Sequence, residues 1–267
     1  MTEEIQSRDN PHLKAVARLA RDAGARRAAK LALVEGLREV ERAMDAGWVP
    51  TEVYFDPSRA VEGAVARVDA AERSGVRVVR CSPRAFDKIS YRENPDGLLA
   101  VGPAPETPLA ALAVAACPLF LVAENVEKPG NLGALLRTAD AVGADGVLAC
   151  GAPADLGNPN LIRASIGTVF FVPVVSLSSP EAVRWLRERG IRIVTAEPAA
   201  NIVYTQADLA GPLAVVVGAE DAGISAVWQE AADLRVRIPM LGRNDSLNVS
   251  VAAAVLLYEA IRQRSGR

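Results

Sequence analysis

Histidine is almost missing from this 267-residue chain, which has only His12, and cysteine is scarce, with Cys81, Cys117 and Cys150 far apart and odd in number. Transition-metal sites are built mainly from these two residue types, so the composition argues against a metal site. Three scattered cysteines also argue against a disulfide framework and point to a reducing cytosol. Aromatic residues make up 4% of the chain, so extensive base stacking is not expected. The net charge of -2 excludes binding to polyanions by bulk charge, and any nucleic-acid surface has to be a local patch. No stretch is long and apolar enough to span a bilayer, and the richest, 249–257, reads as a buried helix. The opening MTEEIQSRDN lacks the basic start and apolar run of a secretory signal, so a cytoplasmic location is expected. Neither GxGxxG nor a Walker loop is present, which argues against an oxidoreductase or ATPase on a doubly wound sheet. There are no internal repeats and no low-complexity tract.

Hydrophobic residues account for half of the chain, ample for a core. Two blocks are visible, separated by VGPAPETPLAALAVAACP at 101–118, where Pro103, Pro105 and Pro108 cluster as in a linker. In the first block Asn10-Pro11 suits a helix start, and Leu13, Val16, Ala17 and Ala20 repeat at helical spacing. Strands are expected at 31–36, 51–55, 76–80 and 97–102, with helices over 37–46 and 59–74, giving a small α/β domain. In the second block 118–123 is a continuous apolar run, as in a buried parallel strand, and 146–150, 191–196, 212–218 and 234–240 also read as strands. Helices are expected at 130–142, 180–189 and 247–264. This alternation predicts a parallel sheet covered by helices, and in such sheets ligands bind beyond the carboxyl ends of strands.

Three loops after strands carry unusual residues. In ENVEKPGNLGALLRTADAVGA, Asn131 stands at a helix start, Gly133 allows close backbone approach, and Arg137 follows six residues later. Free amides at a helix start suit an anionic group, although a capped helix with a solvated arginine has the same pattern. In VVVGAEDAGIS, Gly218 and Gly223 flank Glu220 and Asp221, as in a ligand loop or an ordinary turn. In the third, Gly242 leads to Ser246, Leu247 and Asn248 ahead of a helix for which Ser246 could be a plain N-cap. A fourth feature is basic. Residues 5–30 hold seven Lys/Arg against two acids, and Lys14, Arg18 and Arg21 share one helix face. With Arg26 and Arg27 they are the candidate RNA-phosphate footprint, although a solvated helix face would look alike.

The three loops together resemble the three motifs of the SpoU (TrmH-like) branch of the SPOUT RNA methyltransferases. The resemblance lies in Asn131, Gly133 and Arg137; in Gly218, Glu220 and Gly223; and in IPM at 238–240 with SLNVSVAAA at 246–254. RASIGTVFFVPV at 163–174 is similar to the middle segment of that family. It covers 118–264 and lies nearest the bacterial 23S ribosomal RNA 2'-O-methyltransferases, although some members act on transfer RNA. SRDNPHLK, LVEG and NPDGLLAV in the first block are similar to the RNA substrate-binding domain, ribosomal-protein-like, that precedes many such enzymes.

The resemblance implies an α/β fold with a C-terminal SPOUT domain, a parallel sheet and a deep trefoil knot. It implies an RNA-binding domain at 1–103, a linker at 104–117 and a methyltransferase domain at 118–267. The cofactor would be S-adenosyl-L-methionine, bound by Gly218, Ala219, Glu220, Gly223, Ile238, Met240, Leu247 and Asn248. Asn131, Arg137, Glu220, Ser246 and Asn248 would form the catalytic set. Arg137 could act as general base, which is costly because a guanidinium holds its proton tightly, or as a phosphate clamp that stabilises the developing alkoxide; both roles stay open. The partners would be structured RNA and a second copy of the chain, with no membrane and no metal. A silent RNA-binding or ribosome-assembly protein on the same fold is the alternative from another class.

Overall fold

The computed structural model describes residues 3–151, 154–219 and 223–266. The chain forms two compact units, one of residues 1–105 with 155–171, the other of 106–154 with 172–267.

The first unit contains β1 (Glu3–Ile5), α1 (Pro11–Arg21), α2 (Ala23–Ala29), β2 (Leu31–Glu35), α3 (Leu37–Asp45), β3 (Glu52–Phe55), α4 (Ala64–Arg73), β4 (Arg77–Cys81), α5 (Pro83–Ile89) and β5 (Leu98–Pro103). The strands make one sheet in the order β1-β4-β3-β5-β2, with β5 antiparallel to both neighbours. The Asn10 side chain accepts from His12 N at 2.8 Å, and Pro11 opens α1 where no amide bond is lost. Leu13, Val16, Ala17 and Ala20 then enter a core shared with Leu33, Tyr54, Phe86 and Leu99. His12 is structural, bonded to the Tyr54 hydroxyl at 2.6 Å and lying 3.2 Å from Glu52. The helix expected over 59–74 is shorter, because Gly63 takes φ +90, which no continuous helix accepts, and α4 starts only at Ala64.

The second unit begins with β6 (Leu119–Glu124), α6 (Pro129–Ala141) and β7 (Gly146–Cys150). The chain then contributes 155–171, with α7 (Pro159–Ala164), to the first unit. Three bonds within that unit hold this stretch: the buried Arg26 with Asp155, Leu33 N with Gly157 O, and Arg42 with Ile166 O.

The chain resumes the second unit with β8 (Val174–Leu177), α8 (Ser179–Glu188), β9 (Arg192–Ala196), β10 (Ile202–Val203), β11 (Leu213–Val217), α9 (Ala226–Ala231), β12 (Leu234–Arg237) and α10 (Val249–Ser265). Its seven strands are all parallel, in the order β10-β12-β9-β11-β6-β7-β8. β6, β7 and β11 are buried along their whole length, as expected for central strands covered on both faces. Phe120, Val122, Ala214 and Val216 pack under Trp185, Leu186 and Trp228 of α8 and α9. α6 and α10 pack against each other and, respectively, against β7 and β11.

Two expectations at the end of the chain are corrected. The strand written as 234–240 stops at Arg237, so Ile238, Pro239 and Met240 are loop. The last helix starts at Val249 rather than 247, and its N-cap is Asn248, not Ser246. Asn248 Oδ1 accepts from Ser250 N at 3.0 Å, whereas the Ser246 hydroxyl reaches only Asp245, at 3.4 Å. Among the described residues no helix is long and apolar enough to cross a membrane.

Candidate functional site

Three neighbouring strands of the second sheet, β12, β9 and β11, deliver their carboxyl ends to one pocket. In parallel sheets this end collects the loops that are free to bind ligands. The pocket is open to solvent, with a cavity volume of about 140 Å³. Ala196, Glu197 and Pro198 after β9, Gly218 and Ala219 after β11, and Ile238 and Met240 after β12 form its walls. Asp245, Ser246 and Leu247 close it ahead of α10, whose Val249 and Ala252 complete the lining.

The loop after β11 is tight by necessity. A Cβ on Gly218 would lie 2.1 Å from Gly223 O and 2.8 Å from Ile224 N, so no side chain fits there. Gly223 N donates to Ala219 O at 2.9 Å, and Gly223 turns the chain at φ +65. Gly218, Ala219 and Gly223 thus bring backbone to the pocket wall at close range, beside Val217, Ile224 and Met240. Glu197 lies on the wall, accepting from Thr195 Oγ1 at 2.6 Å.

The sequence-derived residues divide into groups. Gly218, Ala219, Gly223, Ile238, Met240 and Leu247 line this one pocket, and so does Ser246. Glu220 lies outside the described residues. Asn248 is not on the wall; its amide donates to Asn131 Oδ1 at 3.2 Å, which ties the start of α10 to the start of α6. Gly133 is buried in α6. Arg137 is exposed, about one turn further along α6, and is not among the described lining residues. In the first unit Lys14, Arg18, Arg21 and Arg27 are exposed. Arg26 has to be removed from the basic surface. It is 4% exposed, ion-paired to Asp155 at 2.6 Å and bonded to Leu19 O, so its guanidinium cannot reach a phosphate.

Sequence reasoning missed Ala196, Glu197 and Pro198, whose only signal is their place directly after a strand. It also passed over Glu124, a carboxylate ending a wholly buried strand, although acid at the end of an apolar run was a visible signal. Cys150, opposite Glu124 in register, is no nucleophile: burial first, and then the charge of Glu124, push its thiol up to about 12. Among the described residues no group of three His, Cys, Asp or Glu could hold a metal ion.

Comparison with known proteins places this geometry in context. Residues 118–258 match the SpoU rRNA Methylase family, and residues 10–100 match the MRM3-like substrate binding domain. The chain is 35% identical over 243 residues to a 23S rRNA (guanosine-2'-O-)-methyltransferase of Ralstonia nicotianae, covering 88% of this chain and 94% of the relative. It is 32% identical over 255 residues to a 23S rRNA uridine 2'-O-methyltransferase of Streptomyces viridochromogenes, covering 88% and 84%. Among solved structures it is similar to an AdoMet-bound rRNA methyltransferase from Sinorhizobium meliloti, at 30% identity and TM-score 0.87, with 98% of each chain covered.

Proposed function

The chain belongs to the SpoU rRNA methylase family, and from that premise we propose that it transfers a methyl group from S-adenosylmethionine to a ribose 2'-hydroxyl of 23S rRNA in the cytoplasm. The observation that carries the reading is the single pocket shared by the Gly218 loop, the 238–240 loop and the segment ahead of α10. Its residues fit the cofactor. Val217, Ile238, Met240 and Leu247 offer apolar walls to a purine, the backbone of Gly218 and Ala219 offers polar groups, and Glu197 offers an acceptor for a hydroxyl or ammonium. The Gly218 loop and the segments 238–242 and 246–249 are read as the part of a trefoil knot that wraps this pocket.

When bound, S-adenosylmethionine supplies a methyl group on a cationic sulfonium, already activated for transfer. The work left to the protein is at the acceptor. For the ribose oxygen to take the methyl group its hydroxyl proton must leave, and the adjacent RNA phosphate would accept it. Arg137 is exposed, and no acidic residue among those described engages it. A guanidinium gives up its proton only well above neutral pH, so Arg137 serves as a clamp on the adjacent RNA phosphate and stabilises the developing alkoxide. Asn131 and Asn248, bonded to each other, fix the starts of the two helices that frame this chemistry.

Two chains assemble the site as a homodimer. Val251 and Tyr258 of α10, 47% and 53% exposed, support that reading as apolar surface in search of a partner. RNA is held by the first unit, where Lys14, Arg18, Arg21 and Arg27 present charge to phosphates. The test is methyl transfer from labelled S-adenosylmethionine to 23S rRNA lacking the modification, followed by mapping of ribose methylation. A discrete 2'-O-methylated nucleotide is expected. Cofactor binding without transfer to any RNA would end the reading.

A further inference from the structure

Glu124 ends a strand whose other residues are Leu, Phe, Leu, Val and Ala, and it is 2% exposed. An unpaired carboxylate in such a place is costly unless donors surround it. Here Oε1 accepts from Ser179 Oγ at 2.8 Å and from Ser225 Oγ at 2.7 Å, and Oε2 accepts from Ser225 N at 2.8 Å. The donors come from two elements, since Ser179 opens α8 and Ser225 is the residue before α9.

The position relative to the pocket is specific. Register pairs Ala123 with Val217, so Glu124 stands beside the point where β11 ends and the Gly218 loop departs. Ser225 is where the same loop re-enters a helix. The buried carboxylate thus bonds the loop where it re-enters a helix and lies on the strand next to the one from which it departs, and Gly218, Ala219, Gly223 and Ile224 of that loop line the pocket. A second observation points the same way. Serine before a helix ordinarily caps it with its hydroxyl, yet Ser225 makes no side-chain cap bond to α9. Its hydroxyl is turned to Glu124 instead.

We propose that Glu124 is a positioning residue for methyl transfer: through Ser225 it holds the adjoining Gly223 and Ile224 in place on the wall that binds S-adenosylmethionine. The inference rests on the reading of the pocket given above. Glu124 itself does not line the pocket, so its effect on the cofactor passes through the loop. The role is one of hydrogen bonding. A carboxamide can fill it, because its oxygen accepts from Ser225 N while its amide donates to the two serine hydroxyls, which also accept.

The test uses the full chain with Glu124→Ala, Glu124→Gln and Ser225→Ala. Titration calorimetry gives the cofactor Kd, and steady-state assays give kcat and KM for cofactor and RNA separately. Leaving buried donors unpaired corresponds to a loss of about tenfold or more, so Glu124→Ala should raise the cofactor Kd and KM by at least that factor. The KM for RNA should stay within about twofold of wild type, since the first unit is untouched. Glu124→Gln should restore cofactor binding to within about threefold, because every bond can be remade. Ser225→Ala, which deletes one bond and disturbs little packing, should raise the cofactor KM by a smaller factor even if Glu124→Ala fails to fold. The proposal is overturned if the variants lose only folded protein, with unchanged KM in what remains. It is overturned equally if Gln is as damaging as Ala, or if Ala and Ser225→Ala bind cofactor as wild type does. Wild-type protein that binds no S-adenosylmethionine would remove the pocket reading along with this inference. Wild type and Glu124→Ala binding alike would remove this inference alone.

Discussion

Gly218→Ala tests the pocket with one methyl group. The added Cβ would meet Gly223 O at 2.1 Å, the Gly223 carbonyl carbon at 2.4 Å and Ile224 N at 2.8 Å. All three are backbone atoms, so no side chain can swing aside. To reach ordinary contact near 3.4 Å the Gly223–Ile224 backbone has to retreat by about 1.3 Å, in an interior with little slack. Gly223 and Ile224 both line the pocket, so the retreat changes its shape directly. Overpacking of this kind costs about 1–3 kcal/mol, and if it is relieved by moving the loop, cofactor affinity falls by roughly 5- to 150-fold. Calorimetric titration with S-adenosylmethionine measures the affinity, and thermal melting of the ligand-free protein shows how much strain stays in the fold. A Gly218→Ala protein with wild-type affinity and wild-type melting would refute the argument, since the displaced backbone would then have no connection to ligand binding.

Other expected outcomes follow from the same geometry. Arg137→Ala should lower kcat by at least about a hundredfold, as loss of an alkoxide-stabilising donor does, while the calorimetric cofactor Kd changes little. Replacing Lys14, Arg18 and Arg21 together with Gln should weaken RNA binding at low salt. The slope of log K against log salt should fall by up to about 0.7–0.9 per charge removed, and less for Arg18, which is paired with Asp22; an unchanged slope would move the RNA surface elsewhere. Glu259 concerns stability. Hydrogen bonds from Arg262 at 2.7 and 2.8 Å hold its carboxyl down to about 2, below the ordinary 4.5. A carboxylate favoured in the folded state contributes fully above pH 4.5, and the contribution disappears as pH falls toward 2. Glu259→Gln should therefore melt earlier than wild type at neutral pH and converge with it near pH 2, as followed by melting curves across that range.

Much of this architecture was legible in the residues themselves. Continuous apolar runs marked β6, β7 and β11, because a strand covered on both faces has no polar side to show. Asn10-Pro11 marked α1 because its chemistry is local. Legibility ended where the deciding partner is distant in sequence. Ser246 is the cap the pattern suggests, whereas Asn248 caps α10 and is also bonded to Asn131, 117 positions away, a partner that no local pattern reveals. Arg26 looked like its neighbours Arg21 and Arg27 until Asp155, 129 positions on, claimed it. The short helices α5, α7 and α9 carry too few residues for a periodic pattern, and tertiary packing makes them. Within the pocket, glycines and the 238–240 loop could be read as motif, but the contribution of 196–198 depends on β9 lying next to β11, which no local feature encodes.

The buried ion pair between Arg26 and Asp155 has a consequence for how this chain can be taken apart. The backbone leaves the first unit after Pro105, returns at Asp155 and departs again after Phe171. No single cut between sequence neighbours can therefore yield two intact halves. A fragment beginning near residue 106 would carry Leu161, Ile162 and Val169, all buried in the whole protein, into solvent without their cover. Conversely, a nick in the proline-rich stretch would leave the first unit still sewn to the second by the thread that passes through α7.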